Sequence, residues 1–132
     1  ARLHPHSRPF DFLVAAHAIL GDDEEVDRWL AEGLAKHCEP MPAGPEQDNC
    51  TAWYLALANR RLDDAIVRID RALNETGERP DFLDTKAMVH LARREFGDAR
   101  RSARQAARLS PDDVYMLWQA ERIAEVTLQA ER

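Results

Sequence analysis

Two cysteines, Cys38 and Cys50, flank a stretch that holds Pro40, Pro42, Gly44 and Pro45. They stand at the end of one expected helix and the start of the next. In adjacent helix pairs such positions come within disulfide range, and a bridge would staple the loop between them. Two ordinary reduced thiols are nevertheless the expected state, with the bridge as the alternative. His37, Cys38 and Cys50 supply three metal ligands at most, without a recognisable zinc spacing, so no metal is expected.

Other charged and polar clusters have plainer explanations. Asp22, Asp23, Glu24, Glu25 and Asp27 form a carboxylate run without calcium-loop spacing, and all five suit the positive start of a helix. Arg100, Arg104 and Arg108 lie at i, i+4 and i+8, reinforced by Arg93, Arg94 and Arg101. An anionic partner would fit such a stripe, but neutralisation by Glu95 and neighbouring segments makes a solvated outer face the expectation. Asn49-Cys50-Thr51 and Asn74-Glu75-Thr76 match the N-glycosylation pattern. Short polar residues at helix ends explain both equally well, and capping is preferred. His17 and His90 fall within expected helices as packed or surface residues. Ser7, Ser102 and Ser110 lack a nucleophile-elbow setting, no glycine-rich phosphate loop is present, and no carboxylate pair suggests acid–base work. A non-catalytic protein without a cofactor is expected.

The elements that carry these residues are helical. Hydrophobic residues make up 45% of the chain and charged residues 32%, values of a globular helical protein rather than a disordered one. Five glycines in 132 residues and few β-branched side chains favour helices over strands. The length suits one domain, residues 10–132, after a loosely held segment over 1–9. The formal net charge of −6 argues against a nucleic-acid binder. No apolar run approaches the ~20 residues that cross a bilayer, so no direct membrane insertion is expected. The chain opens on Ala1-Arg2, as an excised or processed piece would. Lys36 and Lys86 are the only lysines, an arginine bias typical of GC-rich bacterial genomes. A cytoplasmic setting is expected with free thiols, and an extracytoplasmic one if Cys38 and Cys50 are bridged.

Apolar periodicity places a helix over Phe10 to Leu20, then a second carrying Val26, Trp29/Leu30 and Leu34 inward and ending near Cys38. Glu39 to Gln47 is expected to be a loop. Asp48 or Asn49 then caps a helix over Cys50 to Asn59, followed by helices over Asp63 to Asn74, Phe82 to Arg93 and Ala99 to Leu109. A last helix from Asp112 or Asp113 to about Ala130 aligns Leu117, Ala120, Ile123/Ala124 and Leu128 on one side. The total is seven helices, in three hairpins and a cap.

Within this series the chain nearly repeats itself. A shift of 34 residues carries Leu57 onto Leu91, Arg60 onto Arg94, Asp64 onto Asp98, Ala65 onto Ala99 and Ala72 onto Ala106. A fixed period of that size marks stacked supersecondary units, and the alanines on one helical face permit close helix approach. Ala87, Phe96-Gly97-Asp98-Ala99, Ala103, Ala106 and Pro111, with Leu62-Asp63-Asp64-Ala65-Ile66 and Ala72-Leu73 before them, resemble the tetratricopeptide repeat over Leu55 to Pro111.

That resemblance implies an all-α, right-handed solenoid of about three antiparallel helix hairpins plus a C-terminal capping helix, and a role as a protein–protein interaction module. Its concave groove would be lined by Phe10, Val14 and His17, then Cys50, Tyr54 and Leu57, then Asp81, Asp84, Thr85 and Met88, and finally Tyr115, Trp118 and Arg122. Asp84 and Met88 stand where family members that grip acidic chaperone tails carry basic or amide residues, so such tails are not the expected ligand. A peptide or protein segment is the implied partner. The rival reading is a structural or regulatory appendage of a larger enzyme or membrane protein, with self-association left open.

Overall fold

The computed structural model describes the backbone of residues 9–132 and side chains from residue 15 onward. The segment expected to be loose, apart from Pro9, lies outside this range, as do the side chains of Phe10 and Val14. Among the described residues every regular element is helical. The elements are α1 (Pro9–Leu20), α2 (Asp23–Gly33), α3 (Pro45–Ala58), α4 (Leu62–Thr76), α5 (Pro80–Ala92), α6 (Phe96–Leu109) and α7 (Val114–Ala130). Between α2 and the proline loop the chain continues through a π-helical turn, Leu34–Cys38.

Local chemistry sets the boundaries. Asp22 begins α2 by accepting a hydrogen bond from the Glu25 amide at 3.3 Å. Asp113 does the same for α7 through the Tyr115 amide at 3.0 Å. The third helix starts earlier than its polar residues suggest. Pro45 occupies its first turn after Gly44, so Asp48 and Asn49 lie inside α3 rather than capping it. Proline there needs no amide hydrogen bond and presets the helical φ. Asp48 is instead buried and gripped by Arg71 of α4, with Nε 2.8 Å from one carboxylate oxygen and Nη2 2.7 Å from the other. This fork pins α3 to α4.

Packing follows chain order. The α1 helix lies against α2 and α3, α3 against α4 and α5, α4 against α5, and α7 against both α5 and α6. Val26, Leu30, Trp53, Leu55, Ile69 and Phe82 fill the first part of the core. Each large aliphatic or aromatic side chain so buried contributes about 1.5–3 kcal/mol. A second region joins Ala87, Ala99, Ala103 and Ile123 of α5, α6 and α7. The repeated alanines sit at the tightest approaches: Ala65, Ala72, Ala99 and Ala106 are all buried. Alanine fits because a longer side chain would hold the helices apart.

The terminal helix packs on α5 and α6 but is rotated from its expected phase. Met116, Gln119, Ile123 and Thr127 are buried, whereas Leu117 and Leu128 are exposed. Polar residues on the inward face explain the difference. Thr127 returns its hydroxyl to the Ile123 carbonyl at 2.7 Å, so it enters the core with its donor satisfied. Arg100 of α6 also donates to the Thr127 hydroxyl, at 3.0 Å.

Candidate protein-interaction surface

The residues expected to line a groove divide into three groups. Tyr54, Asp84 and Thr85 are buried, as is Cys50, so none of them offers an open contact surface. Leu57, Met88 and Tyr115 are half-buried, as are His17 and Asp81. Among the groove residues whose side chains are described, only Trp118 and Arg122 are exposed. The correction has a physical cause: the positions on α3 and α5 that would face a ligand are covered by the chain's own neighbouring helices. Tyr54 lies against Gly33, and its ring stacks on His37 with centroids 6.3 Å apart. A Cβ on Gly33 would stand 2.5 Å from Tyr54 Cε1, so only glycine lets α2 approach this ring.

Asp84 is the most unusual buried group. Tyr115 Oη of α7 donates to Asp84 Oδ2 at 3.0 Å, and Gln119 Nε2 donates to Tyr115 Oη at 3.4 Å and to Met88 Sδ at 3.3 Å. Asp84 Oδ1 and Gln119 Oε1 are both buried without a hydrogen-bond partner. Desolvation raises the Asp84 carboxyl from 3.8 to about 7, while Tyr115 and Gln119 oppose that rise. The same burial, with Asp84 beside it, pushes the Tyr115 phenol upward. A buried carboxyl that holds its proton well above the usual carboxylate range therefore joins α5 to α7.

Cys38 and Cys50 are joined as a disulfide with a Cα–Cα separation of 5.5 Å. It ties the end of the π-helical turn to α3 across the proline loop, and both thiolates of the three-ligand metal set are consumed. Among the described residues no group of three or more His, Cys, Asp or Glu side chains is placed to hold a metal ion. Asn49 is buried within α3 and cannot present a glycosylation site. No described helix is long and apolar enough to cross a membrane.

Ion pairs absorb most of the charge clusters. Asp23 and Asp27 hold Arg60 at 2.9 and 3.0 Å, so part of the expected solvated carboxylate run braces α2 against the turn between α3 and α4. Arg93 pairs with Asp63 and Glu95, Arg100 with Glu131, and Arg101 with Asp98. Arg104 and Arg108 are exposed and form no ion pair among the described residues, so the basic stripe on α6 is only partly neutralised. A cleft of about 480 Å³ between the end of α4, α5 and α6 includes Lys86, His90, Asp98, Arg101 and Ser102. Most of its charged groups are also paired, Lys86 with Asp70 at 2.8 Å and His90 with Glu95 at 3.0 Å, while Glu78 at its rim has no ion pair among the described residues. Such a neutralised cleft offers no concentrated charge for a small ionic substrate.

One exposed surface extends beyond the groove position Trp118. Val114, Leu117, Trp118 and Leu128 are exposed on α7, with Val114 at 77% and Trp118 at 52%. Helical spacing puts them on the side away from Met116, Ile123 and Thr127. Arg122 lies over the Trp118 ring, 5.3 Å from its centroid, and Trp118 tilts against Tyr115. Alternating exposed leucine and tryptophan with polar residues on the last helix could have drawn attention to it in the sequence. No family model, curated protein or solved structure matched the chain.

Proposed function

We propose that this chain is a non-catalytic protein–protein interaction module of tetratricopeptide type, a right-handed stack of three helix hairpins closed by α7, which binds a segment of another polypeptide. The observation that carries the reading is the agreement of the repeat with burial. Ala65 and Ala99, one period apart, are both buried, and so are Ala72 and Ala106. The helices that bear them make corresponding contacts, α4 with α3 and α5, and α6 with α5 and α7. With Tyr54, Asp84 and Thr85 covered, the groove positions left for contact include Leu57, Met88, Tyr115, Trp118 and Arg122, beside the exposed Leu117 and Leu128 of α7. Exposed aromatic residues beside arginine are the side chains most enriched where proteins bind one another. The Cys38–Cys50 bridge favours an oxidising compartment for this activity.

Selection of displayed helical peptides against the oxidised protein tests the proposal. Saturable binders that compete with one another and lose affinity on Trp118→Ala are expected. Failure to obtain any saturable binder to folded protein would count against it. The structural-appendage reading is favoured by the same exposed apolar residues if they mediate self-association, and sedimentation as a concentration-dependent dimer would support that outcome.

A further inference from the structure

We infer that the outer face of α7 is the seat of a basic amphipathic helix from a partner protein, docked on α7 in the way that α6 is docked on α5. The inference rests on the interaction-module reading and specifies its surface and partner.

The 34-residue period extends from α5 to α7 in burial as well as position. Phe82, Thr85 and Val89 of α5 correspond to Met116, Gln119 and Ile123 of α7, and all six are buried. The two helices therefore turn corresponding sides inward. On α5, Leu83 packs with Ala106 and Ala107, and Ala87 with Ala99 and Ala103, so these positions hold α6. Leu91 lies at the edge of the same cluster. One period later the positions are Leu117, Glu121 and Glu125. Leu117 is 45% exposed, and no described helix covers it.

The substitutions at this face define what can sit there. Leu117 keeps the apolar contact, and Trp118 and Leu128 extend it. Glu121 and Glu125 replace the small and apolar residues that meet α6 on α5. The ion pairs of α6 and the end of α7 use Asp98 and Glu131, which leaves Glu121 and Glu125 outward and uncommitted among the described residues. Covering them with an apolar helix would bury unpaired carboxylates at high cost. A helix with apolar residues along one stripe and arginine or lysine beside it removes that cost. A second copy is a poor occupant. Two α7 faces would oppose their own glutamates, and α6 is already held against α5 and α7.

A usable probe is a helix-stapled peptide with the sequence of residues 96–109, which carries alanines on one face and four arginines. Its control has those arginines replaced by glutamate. Titration of the intact, oxidised protein, followed by calorimetry and by tryptophan fluorescence, should show saturable binding that weakens as salt rises. The double variant Glu121→Lys/Glu125→Lys should bind at least tenfold more weakly with an unchanged circular dichroism melt, and the glutamate peptide should not bind. Unchanged affinity in the double variant would overturn the inference, as would an absence of saturation. Dimerisation that disappears in the double variant would assign the face to a second copy and overturn it too. If library-selected peptides bind yet ignore the double substitution, the interaction-module reading survives while this surface assignment fails.

Discussion

Replacing Asp84 with asparagine should convert a pH-dependent protein into a nearly pH-independent one, at this site, without loosening α7. Asp84 is 1% exposed, and its carboxyl rises from 3.8 to about 7 because burial disfavours the charged form. A folded value above the unfolded one means that the native state holds the proton more tightly. Its contribution is complete below pH ~4 and is lost as pH rises through about 7. Each tenfold change in proton affinity is worth ~1.4 kcal/mol, so the ceiling on the loss between pH 4 and 8 is ~4 kcal/mol. Relaxation and water entry at the α5–α7 seam will reduce it. Asparagine is neutral throughout, its carbonyl can still accept from Tyr115 Oη, and its amide can supply a donor to the unpartnered Gln119 Oε1. Urea unfolding at intervals from pH 4.5 to 8.5 should show wild type losing ground to Asp84→Asn as pH rises, with the variant more stable above pH ~7. The comparison must be of differences, because ion-paired carboxylates with lowered values, such as Glu95 beside His90 and Arg93, push the opposite way in both proteins. A difference that stays constant from pH 5 to 8.5 would refute the assignment of a protonated Asp84.

Three further outcomes follow from packing. Gly33→Ala, which in an open helix would stabilise by up to ~1 kcal/mol, should instead destabilise by about 1–3 kcal/mol because its Cβ meets the Tyr54 ring; an increased thermal midpoint would contradict this close approach. Ala99→Leu should cost a similar ~1–3 kcal/mol by overpacking the α5–α6–α7 contact, to be read from denaturant midpoints, and an unchanged midpoint would be inconsistent with the buried alanine. Reduction of Cys38–Cys50, separated by 12 residues, should remove ~3 kcal/mol by freeing the unfolded chain; a thiol assay should find no free thiol before reductant, and two titrating thiols in oxidised native protein would contradict the bridge.

The helices and their principal contacts were readable because they rest on local signals. Small residues recurring at Ala65, Ala99 and Ala106 can serve only a close approach, and all three are buried. Val26 and Leu30 likewise follow a simple apolar stripe into the core. The phase of α7 was not readable in this way, because its inward face includes Gln119 and Thr127 while leucines lie outside. Their hydrogen bonds to neighbouring residues make that inversion tolerable, and such partners are set by tertiary structure. Asp48 shows the same limit. Its place near a helix start suggests a cap, yet Pro45 had already begun α3 and two arginines from α4 claim the carboxylate. The groove positions failed for Tyr54, Asp84 and Thr85 because a family pattern gives a helix face but not what the adjacent helix already covers. The bridge between Cys38 and Cys50 overturns the expectation of two reduced thiols, because the path of the proline loop brings the two Cα atoms to 5.5 Å and spacing alone does not show that path.

The most direct test of the central claim is to map a selected peptide onto the oxidised protein by amide chemical shifts. Saturable shifts should centre on α7, reach Met88 of α5 and Tyr115, and leave the neutralised cleft beside Lys86 and His90 unchanged. Shifts confined to that cleft, or peptides that bind only after the protein unfolds, would contradict an interaction module built on this stack.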